Sequence, residues 1–385
     1  MRVLVLNAGS SSVKLRVVEP DDAVVHRADL EAPHGRTAPG ELADAALRLA
    51  GDAGGVDAVG HRVVHGGAEF TAPTVVDPDV LARIDRLGVL APLHQPPAVA
   101  GIRAMTEALP EVPSVACFDT AFHTTLPDAA RVYAVPQRWR SELGVRRYGF
   151  HGLAHDWASA RAAALLGRPL AELRVVVAHL GSGASACAVR EGRSVDTTMG
   201  FTPTAGLVMA TRSGDLDPSA VAWLTLRAGV PTAEVDHALD HASGLLALAG
   251  NADMRHVLAA AEAGDGPAEL AIEVWLHRAR GQLAAMAAAA GGIDVLAFSG
   301  GIGENAPILR RRVVEGLGFL GLAVDPEANE RAVGGAEGDV SAAVAAARTV
   351  VVHAREDLVI AHQVGQALAH RAAPTGERIR GRSVL

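Results

Sequence analysis

One short pattern occurs twice in this chain, and it constrains the fold more than any other feature. Segments 3–11 and 175–183 each consist of an apolar strand, one polar residue and a turn of glycine and serine, followed by an apolar return strand. The polar residue is Asn7 in the first copy and His179 in the second. A strand–turn–strand unit repeated far along the chain predicts a duplicated domain rather than a solenoid. Two unrelated hairpins are the alternative, because Gly-Ser turns are common.

The rest of the chain alternates between strands and helices. Strand patterns rich in Val, Leu and Ile are separated by helical patterns rich in Ala, Leu and Arg, which is typical of α/β layering. At 385 residues the chain exceeds one compact core and suits two domains. The predicted strands are 3–7, 15–20, 174–183 with its single return strand 184–196, 294–301 and 348–354. The predicted helices are 41–52, 77–87, 96–109, 155–166, 217–229, 254–264, 267–290, 306–316 and 356–371.

Composition and charge exclude several classes of protein. The formal net charge is −8 and 49% of the residues are apolar, which is typical of a soluble globular protein. A dedicated nucleic-acid binder would show a basic face, so no nucleic-acid partner is expected. Cys117 and Cys187 lie far apart without metal-ligand spacing, which favours a reduced compartment. No export signal or membrane span is visible, so we expect a cytoplasmic protein with no membrane partner.

The first glycine-serine turn has the chemistry of a phosphate loop. In NAGSSSVK, Gly9 permits a tight turn and three serines supply hydroxyl and amide donors. The only lysine among the 35 basic residues is Lys14, on the return strand, where its ammonium suits a phosphate. The motif is not a Walker A loop, because GxxxxGK[ST] is absent from the chain. A plain hairpin is the alternative.

A second glycine-rich turn, SGGIGENAP at 299–307, follows a strand and opens a helix. With Asp325 downstream it imitates a dinucleotide fingerprint, but it occurs late in the chain, after a strand-rich lobe and a long helical stretch. Both interpretations place a nucleotide against a helix N-terminus.

Several charged residues lie where strands end or loops begin. In GHRVVHGG, Arg62 offers a guanidinium fork that matches a carboxylate or a phosphate. Asp119 follows an apolar strand, and His151 and Arg212 lie in glycine-rich loops, where functional groups concentrate. Each has an ordinary alternative, such as a surface arginine or a helix cap.

Taken together, the motifs resemble those of acetate kinases, the acetokinase family. NAGSSSVK, GHRVVHGG, FDTAFH, RRYGFHG, HLGSG, GFTP…ATRSGDLDP and SGGIGEN follow one another in the family's order, nearly from end to end. The family is part of the superfamily of acetate and sugar kinases, heat-shock chaperones and actin. The resemblance implies two ribonuclease H-like (actin-like ATPase) domains with an interdomain nucleotide cleft. We expect one lobe from 1–120 with 357–385, a nucleotide-binding lobe from 121–356, and a homodimer.

The resemblance also implies roles for individual positions. Asn7 and Glu356 would contribute to a Mg²⁺ site, with Mn²⁺ as a substitute, and ATP or ADP would be the co-substrate. Asp119, His151 and Arg212 match catalytic positions, and Arg62 matches the anchor of the acid's carboxylate. The implied acyl pocket consists of Val64, Leu93, Phe150 and Pro203. The implied nucleotide contacts are Lys14, His179, Leu180, Gly181, Ser182, Gly183, Asp253, Met254, Arg255, Gly300, Gly301, Ile302, Gly303 and Glu304.

Two motifs depart from the family pattern, and the segment between the first hairpin and GHRVVHGG is shortened. HLGSG has Ser182 where an asparagine is usual, which keeps a hydroxyl but loses an amide. HGLAH at 151–155 replaces the more typical HGTSH. Neither change removes an implied catalytic group.

These positions predict an ATP-dependent kinase that phosphorylates a short-chain acid, acetate being the first candidate. An aliphatic acid has a pKa of about 4.3 and is already ionised at neutral pH. The nucleophile then needs no general base, so we expect Asp119 to orient groups or metal rather than remove a proton. Propionate or butyrate kinase is the nearest alternative, because one methylene is worth only about 1–3 kcal/mol in an apolar pocket. An actin-like or chaperone-like ATPase switch without an acid substrate is the alternative of another class.

Overall fold

Each half of the chain forms a six-stranded mixed sheet. The computed structural model describes residues 1–9, 12–32, 37–38, 40–92 and 94–372. Ser10 and Ser11 of the first turn and Leu93 of the predicted pocket lie outside the described residues. The chain divides into two units, Met1–Phe118 with Asp357–Leu385, and Asp119–Glu356.

The first unit carries a sheet with strand order β3-β2-β1-β4-β6-β5. Neighbouring strands β1, β2 and β3 are antiparallel, β1, β4 and β6 are parallel, and β5 pairs antiparallel with β6. The strands are β1 Val3–Ala8, β2 Ser12–Val18, β3 Val24–Glu31, β4 Ala58–Val63, β5 Thr74–Val75 and β6 Ser114–Phe118.

The second unit repeats this topology. Read from the corresponding edge, its order is β9-β8-β7-β10-β12-β11, with the same sequence of parallel and antiparallel pairs. The strands are β7 Arg174–Leu180, β8 Ala184–Arg190, β9 Arg193–Thr197, β10 Val295–Ser299, β11 Gly338–Asp339 and β12 Arg348–Val351. Strand β7 corresponds to β1 and carries the second copy of the repeated pattern. The predicted duplication and the α/β class are therefore confirmed.

All nine predicted helices are present, with small changes at their ends. Helix α1 spans 41–52 as predicted, whereas α6 begins at Gly152 instead of residue 155, because His151 in a left-handed conformation starts it earlier. The helices are α1 Glu41–Asp52, α2 Pro78–Arg86, α3 Gln95–Ala108, α4 Asp128–Arg131, α5 Gln137–Ser141, α6 Gly152–Leu165, α7 Pro218–Leu226, α8 Thr232–His241, α9 Gly244–Ala249, α10 Met254–Glu262, α11 Gly266–Ala289, α12 Gly300–Asn305, α13 Pro307–Glu315, α14 Pro326–Arg331 and α15 Glu356–Ala372.

The core of the first unit lies between its sheet and the amphipathic helix α1. Leu42, Ala45, Ala46 and Leu49 recur at helical spacing on one face and pack against buried residues of β1 and β2. Helix α15 approaches β4 closely at Gly60, where an added Cβ would lie 2.5 Å from Cγ2 of Ile360. A glycine at this position therefore allows the last helix to pack on the sheet.

The second unit has a comparable core. Alanines of α6 lie against valines of β7, so the small side chains bring the helix near the strand. Among the described residues, no helix combines the length and apolar character needed to cross a membrane.

Candidate active site

In the first unit, Arg62 and Asn7 lie on adjacent parallel strands. Leu6 on β1 is in register with His61 on β4, so the next residue of each strand also lies near the other. Nη1 of Arg62 donates a hydrogen bond of 3.1 Å to the side-chain oxygen of Asn7. The structure thus brings the implied acid anchor and an implied metal contributor together.

Lys14 is on the neighbouring strand. It is in register with Asn7 on one side and with Asp29 on the other, and its side chain is exposed. The pKa of Asp29 is lowered mainly by the hydrogen bond from Arg16, with a smaller contribution from the charge of Lys14. An ammonium on an exposed strand face is accessible to an anionic ligand.

His61 and His65, which lie on either side of Arg62 in the sequence, are buried in the interior of the first unit. Nε2 of His61 lies 3.2 Å from Oγ of Ser114, and burial lowers the pKa of His61 to about 3. Nδ1 of His65 accepts a hydrogen bond of 2.9 Å from the backbone N–H of Gly67. Their spacing along the chain therefore reflects packing around β4.

In the second unit, His151 and Arg212 meet at the HLGSG turn. A Cβ added to Gly183 would lie 3.4 Å from Nε2 of His151 and 3.7 Å from Nη1 of Arg212. Any larger residue would occupy the space that these two groups flank. The structure therefore brings two implied catalytic residues to the same implied phosphate turn.

His151 owes its position to an unusual backbone. Its φ is +57°, a conformation that a β-carbon disfavours, and it immediately precedes α6. The next residue, Gly152, donates a backbone hydrogen bond of 2.9 Å to the carbonyl of Asp119, and an added Cβ there would overlap that carbonyl. Asp119 itself is buried directly after β6. Its backbone thus holds the start of α6, and with it His151.

Arg212 is held by a loop with many internal hydrogen bonds. The N–H groups of Ser243 and Leu245 donate to the carbonyls of Thr211 and Met209, each at 2.9 Å. Nη1 of Arg212 lies 3.4 Å from the carbonyl of Pro203, which places the implied pocket residue next to the guanidinium. Burial lowers the pKa of Arg212, while Asp240 opposes that shift. A partly desolvated guanidinium interacts more strongly with an anion than one in water.

The two glycine-rich turns of the second unit lie side by side. Strands β7 and β10 are parallel neighbours, so the turns that follow them emerge at one edge of the sheet. Gly300 has a φ of +78°, and an added Cβ would lie 2.8 Å from the carbonyl oxygen of Leu180. A Cβ added to Gly181 would lie 3.9 Å from the backbone nitrogen of Gly301, an ordinary contact distance. The contact between Gly300 and Leu180 requires glycine, and it brings the residues of HLGSG and GGIGE together.

Glu304 has a different environment from an exposed phosphate contact. Its buried carboxylate accepts hydrogen bonds from the N–H groups of Gly300 (3.0 Å) and Ala354 (3.1 Å) and lies 2.6 Å from Nδ1 of His353. It therefore connects the GGIGE turn to the segment that precedes Glu356. Through these hydrogen bonds, the carboxylate of Glu304 stabilises the shape of the GGIGE turn.

The other implied residues of this unit lie in two places. Phe150 is buried, and its carbonyl accepts a hydrogen bond of 3.0 Å from His123. Asp253, Met254 and Arg255 are at the start of α10, where the Asp253 carboxylate caps the helix and pairs with the exposed Arg255. Helix α10 packs on α9 and α11.

Three residues beside the site were not predicted. Ser185 and His155 lie behind His151, and Arg310 lies behind the GGIGE turn. The spacing of His151 and His155, four residues apart at the start of a helix, was a signal that both lie on one face. No sequence signal indicated Ser185 or Arg310, because their partners come from other elements.

The oxygen donors suit magnesium. Among the described residues, no group of three or more His, Cys, Asp or Glu could hold a metal ion. Mg²⁺ is usually bound through one or two protein oxygens together with substrate phosphates and water. Asn7 in the first unit and Glu356 in the second each carry a side-chain oxygen, the type of ligand that Mg²⁺ takes.

A duplicated actin-like ATPase fold, with two glycine-rich turns flanked by arginine and histidine, defines a phosphotransferase of the acetate and sugar kinase superfamily. The family model described as "Acetokinase family" matches residues 42–362. The chain belongs to the acetokinase family.

Individual relatives agree with this membership. The chain is similar to an acetate kinase of Leifsonia xyli subsp. xyli, with 52% identity over 314 residues, covering 82% of this chain and 79% of the relative. The crystal structure of an acetate kinase from Porphyromonas gingivalis superposes with a TM-score of 0.85 at 35% identity, covering 95% and 99% of the two chains. A propionate kinase from Francisella tularensis gives a TM-score of 0.86 at 36% identity, covering 94% and 98%.

Proposed function

We propose that this protein transfers the γ-phosphoryl group of ATP to acetate, which forms acetyl phosphate and ADP. The main support is the convergence of His151 and Arg212 on Gly183, in a chain whose family and similar structures are acetate kinases. A carboxylate oxygen attacks the γ-phosphorus, a new O–P bond forms, and the bond to the β-phosphate oxygen breaks with its electron pair leaving on ADP. No proton is transferred, because the acid is ionised.

The chain's residues act mainly through charge and position. We propose that Arg62 binds the acid's carboxylate, with Asn7 fixing the guanidinium through their hydrogen bond. His151 and Arg212 would donate to the equatorial oxygens of the transferring group, where negative charge must be stabilised. Asp119 would orient the start of α6 instead of removing a proton, in agreement with the backbone contact between Asp119 and Gly152.

The nucleotide would be bound by the two adjacent turns and by Lys14. Backbone N–H groups of 181–183 and 300–303 are suited to phosphate oxygens, and Asp253–Arg255 would contact the adenosine. Asn7 and Glu356 would hold Mg²⁺, with Mn²⁺ as a substitute. When bound, the ion neutralises charge on the phosphates.

The acid substrate is proposed to be acetate, with propionate as the second candidate because of the similarity to a propionate kinase. Val64 and Phe150, both buried, and Pro203 are the described members of the proposed acyl pocket. One added methylene changes binding by only about 1–3 kcal/mol. The preference must therefore be measured rather than derived from residue types.

The test is a substrate series. The purified full chain is incubated with Mg-ATP and formate, acetate, propionate or butyrate, and any acyl phosphate is trapped with hydroxylamine. We expect the highest kcat/KM with acetate. Highest activity with propionate would change the substrate but keep the chemistry. ATP hydrolysis that no acid accelerates would contradict the proposal and favour an ATPase switch.

We also propose a homodimer in the cytoplasm. Helix α7 has no buried residue although it is apolar, and Leu216, Trp223 and Leu226 on or near it are 49%, 59% and 78% exposed. Exposed apolar side chains in such number are typical of a contact surface. Free, buried Cys117 and Cys187 suit a reducing compartment. Light scattering of the wild type and of Trp223→Arg with Leu226→Glu would test the dimer, and a monomeric wild type would contradict it.

A further inference from the structure

Ser185 connects His151, which immediately precedes α6, with His155 in the first turns of that helix. Its hydroxyl oxygen lies 2.9 Å from Nδ1 of His151 and 2.8 Å from Nε2 of His155. Ser185 and His155 are both 0% exposed. Strand β8 presents the serine, and the four-residue spacing along α6 presents both imidazoles to it. The three groups therefore form one hydrogen-bonded network, buried at Ser185 and His155 and half-buried at His151.

The number of hydrogens on these three groups limits which of them can donate and which can accept. A serine hydroxyl has one hydrogen, so it can donate to only one of the two imidazoles. If His151 and His155 both donated to the oxygen, the hydroxyl hydrogen would need a third partner. Within the described residues, the Ser185 hydroxyl has no partner other than these two rings, so one histidine donates to Ser185 while the other accepts from it.

The position of the hydrogen on His155 determines which histidine donates to Ser185. Burial, with smaller effects of His123 and His179, lowers the pKa of His155 well below its ordinary value, so the ring is neutral. Its Nδ1 has no hydrogen-bond partner within the described part of the chain. A hydrogen on Nδ1 would be a buried unpaired N–H, which is rarer in proteins than an unpaired acceptor and costs about 1–3 kcal/mol. The hydrogen is therefore on Nε2, which donates to Ser185.

The hydrogen bond from His155 to Ser185 in turn determines the tautomer of His151. The Ser185 hydroxyl, having accepted from His155, donates to Nδ1 of His151. A neutral His151 then carries its hydrogen on Nε2, the atom that lies 3.4 Å from the Cβ position of Gly183. A donor beside Arg212 attracts phosphoryl oxygens, whereas the opposite tautomer would present a lone pair and repel them.

We propose that Ser185 and His155 are positioning residues that hold His151 in the Nε2–H tautomer, so that it acts as a hydrogen-bond donor at the HLGSG turn; the catalytic consequence of this assignment rests on the proposed kinase activity. Neither residue contacts the substrates in this assignment. Their effect reaches the reaction only through the proton on His151.

The first test needs no activity. The full chain is labelled with ¹⁵N in its histidines, and the His151 signals are identified by their loss in His151→Gln. At neutral pH, without substrates, we expect a protonated Nε2 and an unprotonated Nδ1. A protonated Nδ1, in either the other tautomer or the imidazolium, would overturn the inference. This result is independent of whether any acid supports turnover.

The second test uses substitutions. Ser185→Ala should lower kcat by about 10- to 100-fold, as other residues that orient a functional histidine do, with KM values for acid and ATP changed less than about threefold. Ser185→Thr retains the hydroxyl and should recover most of kcat. His155→Gln, whose amide can donate in place of Nε2, should also stay closer to wild type than His155→Leu.

Ser159→Ala is the matched control, because it removes a buried serine hydroxyl from α6, the helix that carries His155; within the described residues the Ser159 hydroxyl donates to the carbonyl of Asp156 alone. It should leave kcat unchanged. Wild-type kcat in Ser185→Ala would overturn the inference. If Ser185→Ala does not fold, the wild-type tautomer still decides. If no acid supports turnover while His151 shows the Nε2–H form, the proposed function fails and the tautomer assignment stands.

Discussion

Arg62 donates a hydrogen bond of 3.1 Å to the side-chain oxygen of Asn7. The two residues are on adjacent parallel strands, so the sheet itself sets the direction of the guanidinium. An arginine fixed in this way loses less rotamer freedom when it binds a carboxylate. The proposed acid anchor is therefore partly preorganised by the proposed metal contributor.

Removal of this anchor should weaken acid binding. Arg62→Ala is expected to raise KM for acetate by about tenfold or more, with a smaller change in KM for ATP, because a hydrogen bond to a charged group contributes about 1.5–3 kcal/mol. Initial-rate kinetics with each substrate varied in turn measure both. Arg27→Ala, at an exposed position of β3, is the control. Equal KM values for acetate in Arg62→Ala and wild type would contradict the anchor role.

Removal of the second guanidinium should affect the chemical step. Arg212→Ala is expected to lower kcat by about 10³-fold, as for other arginines that stabilise a transferring phosphoryl group. Single-turnover measurements separate this step from product release. Arg140→Ala, which removes an exposed arginine of α5, should behave as wild type. A fully active Arg212→Ala would refute the assignment.

The rate should also depend on the backbone conformation of the loop that positions Arg212. Gly244 has a φ of +63°, and an added Cβ would overlap the carbonyl oxygen of Met209 and lie 2.8 Å from that of Arg212. Gly244→Ala must displace this loop, and a shift near 1 Å can lower the rate by about 10- to 100-fold.

Gly229→Ala is the matched control for Gly244→Ala. Gly229 has a φ of +74° but no atom within 4 Å of an added Cβ, so it carries the same backbone strain without the collision. Comparison of kcat and melting temperature in the two variants separates strain from displacement. Equal kcat values would show that the loop does not position Arg212.

The side chain of Arg310 should be essential for the stability of the GGIGE turn. It is 1% exposed and donates to the carbonyls of Gly303, Glu304, Asn329 and Ala332 and to the side-chain oxygen of Asn329. Arg310→Met would leave these acceptors buried without donors and should destabilise the surrounding structure by about 3 kcal/mol or more.

Hydrogen exchange of residues 300–305 and KM for ATP measure the effect of Arg310→Met, and both should increase. Arg310→Lys keeps the charge but offers three donors, so it should recover only part of the stability. Arg331→Met, at an exposed ion pair, should leave both quantities unchanged. Unchanged exchange in Arg310→Met would show that the turn holds its shape without this arginine.

The first unit should lose stability in acid through His61. Burial lowers the pKa of His61 to about 3, whereas an unfolded histidine has a pKa of about 6.5. Below pH 6.5 the unfolded state binds the proton that the folded state does not, so stability falls as pH falls. Between pH 7 and pH 5 the loss from this one residue is about 2 kcal/mol.

His61→Gln tests whether His61 causes the loss of stability at low pH. Its amide can still reach Ser114 but does not titrate, so the stability of β1 and β4, measured by hydrogen exchange, should fall less between pH 7 and pH 5 than in wild type. Between pH 7.5 and pH 9 the curves of the two proteins should be parallel, because the imidazole is neutral in both states. Parallel curves in acid would contradict the buried neutral His61.

Much of the fold followed from local patterns. The repeated strand–turn–strand unit predicted the duplication, and helical periodicity predicted α1, α3 and α11 within a residue or two. Strands β5 and β11 were missed, since two residues carry no pattern, and β3 was missed although its half-buried alternation was present. The return strand after HLGSG was predicted as one piece, but a turn at Glu191 and Gly192 divides it into β8 and β9.

The sequence by itself determined the two copies of the fold, the glycine-rich turns and the residue types at each position, because these depend on neighbours along the chain. Only the tertiary structure decided which groups meet. Ser185 lies 30 residues from His155, and Arg310 lies 19 residues from Asn329, yet each pair forms a buried hydrogen bond. The proposed tautomer of His151 and the shape of the GGIGE turn depend on such contacts. They follow from packing and burial, which no local pattern along the chain contains.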